Sequence, residues 1–178
     1  MDRENAAPSW DIQQSMAHQR MRDGGGFPGL ASPEKVAGKS GREILEAMMS
    51  GELPFPPMNE TMNMTLLEVG EGRAVFQGIP QQQHYNPMAK VHGGWFATLL
   101  DSALGCAVQT LLPAGRSYTT AELSINIVRA ASHKTGPLRS TAKVIHEGRQ
   151  MMTAEARVED EAGKLYAHAT TTCFLLDI

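Results

Sequence analysis

The chain has 178 residues, 42% of them hydrophobic and 20% charged, a make-up far from that of disordered or membrane-embedded chains. At roughly 150 residues per domain this length predicts one domain with an appendage, large enough to bury a core without disulfides or metal. Lys and Arg number 16 against 19 Asp and Glu, a net charge of −3. That balance argues against a nucleic-acid partner and leaves any anionic ligand to a few local cations.

The polar start, MDRENAAPSWD, lacks the charged and apolar regions of a signal peptide. The longest apolar stretch, 93–112, carries Asp101 at mid-span, so it reads as a buried helix and not a membrane span. Cys106 and Cys173, both in apolar surroundings, suit free thiols in a reducing compartment. The expected location is the cytoplasm, where the sequons at Asn59 and Asn63 carry no meaning.

Residues 1–56 read as an N-terminal arm with short helices, surface-packed or mobile. Ser9 precedes a short helix with Trp10 and Met16, and Gly24-Gly25-Gly26 breaks it. Ser40-Gly41-Arg42-Glu43 is a capping box that opens a helix with Ile44, Leu45 and Met48 on one side. Gly51 is placed to cap its end, and Pro54, Pro56 and Pro57 close the segment. Two nucleotide-binding look-alikes fail on context. No strand precedes Gly24–Gly29, and Pro33 stands where a phosphate loop ending at Ser40 needs glycine.

Residues 57–178 form the main domain. Runs at 62–69 and 73–79 flank Glu71-Gly72, a hairpin signal. One helix follows over 94–112, with Phe96, Leu99, Leu100, Ala103, Ala107 and Leu111 at helical spacing. It is apolar nearly all round and has to be buried on most sides. Four period-two runs come next, centred on Leu123–Ile127, Leu138–Val144, Met152–Val158 and Leu165–Leu175. Short turns between period-two runs mean an antiparallel sheet. The fold class is therefore α+β, a sheet wrapped around one long helix.

Polar groups concentrate where that helix begins. Gly93 and Gly94 permit close backbone approach, and their N–H groups stand at the positive helix end, where they can stabilise an oxyanion. Asp101 is the only acid in the helix, so it is either hydrogen-bonded or functional. His92 and Asn86 lie just upstream. The six histidines form no metal-binding spacing, and no G-x-S-x-G occurs, which disfavours zinc and serine hydrolases.

The string Asn86…His92-Gly93-Gly94…Leu100-Asp101 resembles the signature of hot-dog-fold acyl-CoA thioesterases of the phenylacetic-acid-degradation (PaaI-like) type. Further segments at 118–123, 126–131, 146–149, 160–165 and 167–170 resemble the family in register, with Ala130 standing where it often has proline. The resemblance implies a hot-dog fold and hydrolysis of an acyl-CoA to free acid and coenzyme A. Asp101 would be general base or nucleophile, and the Gly93 N–H the oxyanion donor. Asn86 and His92 would position substrate and order the loop, and Thr120 would help to hold the water. Gly94, Arg129, Gly148 and Arg149 are expected substrate contacts, the arginines facing coenzyme A phosphates. No metal or separate cofactor is implied. The resemblance further implies a homodimer or homotetramer with active sites at the subunit interface, Asp101 of one chain facing Gly93 of the other. Two rivals remain, a non-catalytic acyl-CoA-binding protein and an acyl-thioester dehydratase. A dehydratase would need a histidine base where Asp101 stands. Because every matched motif lies beyond Pro57, the arm is expected to be dispensable for catalysis.

Overall fold

The computed structural model describes residues 8–178, so most of the polar start read for a signal segment lies outside the described residues. The arm carries helices α1 (Trp10–Asp23), α2 (Pro33–Val36) and α3 (Gly41–Ser50), and α4 (Met58–Met62) leads into the sheet. Strands β1 (Met64–Gly70) and β2 (Arg73–Gly78) precede a short 3-10 turn, Gln82–His84, and helix α5 (Gly93–Gln109). Strands β3 (Arg116–Ile127), β4 (Leu138–Glu147), β5 (Met151–Glu159) and β6 (Leu165–Asp177) complete the chain. All six strands form one antiparallel sheet in the order β1-β2-β4-β5-β6-β3. It curves around α5, which touches every strand. This is the hot-dog arrangement.

The enclosure of α5 follows from its sequence. Phe96, Leu99, Leu100, Ala103, Leu104, Ala107 and Val108 are all fully buried, and each large side chain among them is worth about 1.5–3 kcal/mol in burial. None of the described helices is long and apolar enough to cross a membrane. The helix starts at Gly93, one residue before the expected position, because His92 acts as its N-cap. It stops at Gln109 and not Leu112. The Thr110 hydroxyl donates back to Ala107 O at 2.7 Å and accepts the Gly72 N–H at 2.9 Å. That pair of bonds ties the helix end to the β1–β2 hairpin, where Gly72 takes the positive φ of 62° that the turn requires.

The first strand also starts later than its hydrophobic pattern suggests. Residues 58–62 wind into α4, and Asn63 ends that turn at φ 50°. Asparagine tolerates this left-handed geometry better than most residues. Its carboxamide Nδ2 donates to Ile79 O at 2.9 Å, fixing the entry to β1.

The arm is built as its capping signals predict, and it is packed. Ser40 Oγ accepts the Glu43 N–H, while the Ser40 N–H donates to Glu43 Oε2 at 2.7 Å. Gly51 caps α3 at φ 86°. Helix α1 docks on the outer face of the sheet through Gln77, a fully buried carboxamide on β2. Gln77 Nε2 donates to Trp10 O at 2.7 Å and to Gln14 Oε1 at 3.0 Å, and its Oε1 accepts from Arg139 Nε at 2.8 Å. The Arg139 guanidinium in turn lies 4.1 Å over the Trp10 ring.

Replacing Gln77 by Leu leaves Arg139 Nε and the Trp10 carbonyl without their partner. The expected cost is about 1–3 kcal/mol, or roughly 2–12 °C in melting temperature for a chain of this size. Limited proteolysis should then cut first at the glycines following α1. A Gln77→Leu protein with unchanged melting and cleavage would show that this node does not hold the arm.

Candidate active site

Asp101 is the only charged residue on α5 and is half-buried. Its Oδ1 accepts a hydrogen bond from Thr120 Oγ1 at 3.0 Å, so the structure brings together two residues 19 positions apart. The aim of Thr120 depends on a β-bulge. Thr120 pairs with Cys173 and Glu122 with Thr172, leaving Ala121 unmatched. A bulge of this kind bends a strand and redirects a side chain.

At the other end of the site, His92 Nδ1 accepts the Gly94 N–H at 2.8 Å. An imidazole that accepts at Nδ1 carries its proton on Nε2. The His92 N–H donates to the carbonyl of His84 at 2.8 Å. The Gly93 N–H, first on the helix, donates to no acceptor among the described residues. It is an unclaimed donor at the positive end of the helix. Gly94 keeps only its bare backbone for a ligand, since its N–H is already engaged.

Asn86 organises the loop before the helix. Its Oδ1 accepts the N–H groups of Met88 at 2.9 Å and Lys90 at 3.2 Å. A bridge between Tyr85 and Val91 closes that loop, within which Ala89 adopts φ 55°.

Two separations matter. Gly93 and Asp101 lie eight residues apart on one helix, about 12 Å along its axis. No single small reacting group can touch both within one chain. Arg129 follows the C-terminal end of β3, whereas Arg149 O accepts from Arg116 Nη2 at its N-terminal end. The 12 residues of β3 put the two arginines at opposite ends of a strand at most about 40 Å long. Gly148 sits in the β4–β5 turn, where an added Cβ would lie 2.7 Å from Met151 O. Among the described residues no three His, Cys, Asp or Glu side chains converge as a metal site.

Tyr118 is a neighbour that sequence reasoning missed. Its ring lies over Gly105, so close that any side chain at position 105 would collide with the phenol oxygen. Gly105, alone in an apolar helical run, was the one available signal. Burial pushes the Tyr118 phenol well above its usual range, with Cys106, Cys173 and Asp101 adding to the effect. Burial, then the nearby Asp101 charge, pushes the Cys106 thiol up to about 12.

A cavity of about 250 Å³ opens beside Asp101, Ser102, Cys106 and Tyr118, and residues of the arm form its far side. A separate open cleft lies along His84, His92, Gly94, Trp95 and Thr98.

Residues 88–167 match the family model described as the thioesterase superfamily. The 1,4-dihydroxy-2-naphthoyl-CoA hydrolase of Listeria monocytogenes is 29% identical over 109 residues, 61% of this chain and 86% of that protein. Among solved structures, a phenylacetic acid degradation-related protein from Ralstonia eutropha JMP134 is similar at TM-score 0.67 and 28% identity, covering 73% of this chain and 98% of that one. A single-residue variant of the phenylacetic acid degradation protein PaaI from Thermus thermophilus is similar at TM-score 0.60 and 27% identity, over 66% of this chain and 97% of that one.

The thiolate is the reactive form of cysteine, so the raised thiol of Cys106 makes a prediction. Although Cys106 is only partly buried, little of it is thiolate, so in the native protein it should react with iodoacetamide at pH 8 much more slowly than in denaturant. Fast alkylation of the folded protein, mapped to Cys106 by mass spectrometry, would contradict this environment.

Proposed function

We propose, from the premise that this chain is a hot-dog-fold thioester hydrolase of the thioesterase superfamily, that it cleaves acyl-CoA to free acid and coenzyme A. The observation that carries this reading is the lone helical carboxylate of Asp101, held by Thr120 at the edge of a cavity. Residues 57–178 are the catalytic unit and residues 1–56 its appended arm.

The Thr120 hydroxyl occupies Oδ1 and leaves Oδ2 for a water. Asp101 takes a proton from that water as its oxygen attacks the thioester carbon. The carbonyl oxygen becomes an oxyanion, which the Gly93 N–H receives. Collapse breaks the C–S bond, and the proton on Asp101 passes to the departing coenzyme A sulfur. A thioester is activated enough that one base, one oriented water and one strong donor suffice. The reaction needs no metal or separate cofactor. Asn86 and His92 act by holding the loop and the helix start around Gly93.

The 12 Å between Asp101 and Gly93 supports a site shared between two chains. Strand β3 pairs only with β6 and leaves its outer edge open among the described residues. A long free edge is a ready surface for pairing with a second copy. Antiparallel β3–β3 pairing would make a homodimer, with a homotetramer formed from two of them. It would also bring Arg129 of one chain beside Arg149 of the other, two cations for the phosphates of coenzyme A. The free thiols Cys106 and Cys173 support a reducing compartment, the cytoplasm.

Thiol release from a panel of acyl-CoAs tests this reading, with two variants as its core. Asp101→Asn keeps the shape and should lower kcat by about two to four orders of magnitude. Gly93→Pro removes the oxyanion donor and adds one tight contact, since a Cβ there lies 3.3 Å from Ile127 Cδ1. Proline is favoured at the first helical position, and His92 already has the extended backbone, φ −64° and ψ 142°, that a following proline demands. This variant should lose about 10²–10³ in kcat while melting within a few degrees of wild type. Binding of acyl-CoA without thiol release would support a non-catalytic protein. An Asp101→Asn enzyme that melts lower but turns over at the wild-type rate would remove Asp101 from the mechanism.

A further inference from the structure

We infer that the N-terminal arm forms one wall of the acyl pocket and sets the length of acyl group the enzyme accepts. This rests on the thioesterase reading above. Asp101, Ser102, Cys106 and Gln109 lie on one face of α5, beside the face carrying Leu99, Ala103 and Val108 into the sheet. Opposite that stripe stand the arm residues Leu45, Met48 and Phe55, and the space enclosed is about 250 Å³. Without the arm this side of α5 would open to solvent.

The wall is fixed in place. The Gly41 N–H at the start of α3 donates to Leu112 O at 2.9 Å, just past the end of α5. Leu45 is 3% exposed and Leu53 1% exposed. Against the expectation that the arm is dispensable stands one observation, that arm residues and Asp101 line the same cavity.

Position and lining select the ligand. Asp101 at the margin places the thioester carbon there, so the acyl group extends away from it between α5 and the arm. Cavities of roughly 150 Å³ take benzene, whereas drug-sized ligands occupy about 300–1,000 Å³. A space of about 250 Å³ lies between these limits. It suits a medium-length apolar acyl group, one ring on a short linker or an unbranched chain of about six to eight carbons. Methionine on this wall gives a soft lining that adapts to either shape. Phe55 also lines a second cavity, of about 400 Å³, beneath α1, and with Met21 and Asn59 it stands between the two.

The test is chain-length selectivity, measured as the ratio of kcat/KM for octanoyl-CoA to that for propionyl-CoA within one preparation, so that any unfolded fraction cancels. The wild type should favour octanoyl-CoA. Met48→Trp fills the pocket and should lower the ratio by about tenfold or more, the scale set by one or two methylenes in an apolar site. Phe55→Ala removes the largest side chain between the two cavities and should move the optimum to longer acyl groups. If both variants release thiol with the wild-type ratio and optimum, the arm is not the wall and the thioesterase reading stands. If the wild type hydrolyses no acyl-CoA in the panel, both readings fall together.

Discussion

A helix that is apolar on almost every side has to be enclosed, and in this chain the enclosure of α5 dictates the rest. Six strands curve around it, and its two ends are pinned, by His92 at the start and by Thr110 against the hairpin glycine at the finish. Once α5 is immobile, so are the two features that interrupt its apolar character. One is the unclaimed Gly93 N–H at its positive end, and the other is Asp101 two turns on. A donor and a carboxylate on a rigid helix keep their geometry without further support, which is what a catalyst relying on electrostatic preorganisation needs.

The same rigidity fixes a distance. Since α5 cannot bend, the backbone positions of the donor and the carboxylate stay about 12 Å apart along its axis, and the proposed chemistry becomes a property of an assembly. The open edge of β3 and the opposite placement of Arg129 and Arg149 along it are read by the same logic. Each has half of a function on one chain and the complementary half at the far end of a strand.

Much of this was legible in the sequence where the signal is local or periodic. The 3.6-residue repeat gave α5, the period of two gave the later strands, and the Ser40 box and Gly51 marked both ends of α3. Asp101 stood out as a single charge in an apolar run. Information carried by distant partners was hidden. The run read as a strand from Met62 begins only at Met64, because Met58–Met62 winds into a helical turn that Asn63 closes and ties to Ile79. The docking of α1 runs through Gln77, Arg139 and Trp10, which sit in three separate segments. The Asp101–Thr120 contact needed a bulge, and the cavity needed the arm to fold back over α5. None of these leaves a mark on local pattern, because each is set by tertiary contacts.

The central claim, that one site is assembled from two chains, can be tested by subunit complementation. Asp101→Asn and Gly93→Pro, nearly inactive alone, are co-expressed with different tags at equal levels, and thiol release is measured on the mixed population. Random pairing of a two-fold dimer makes about half the molecules mixed, each with one intact site, so activity should recover to about a quarter of wild type. Purifying the doubly tagged species should raise it to about half. Activity that stays at the level of the separate variants, with mixed dimers demonstrably present, would place Asp101 and Gly93 in the same subunit's site and contradict the account.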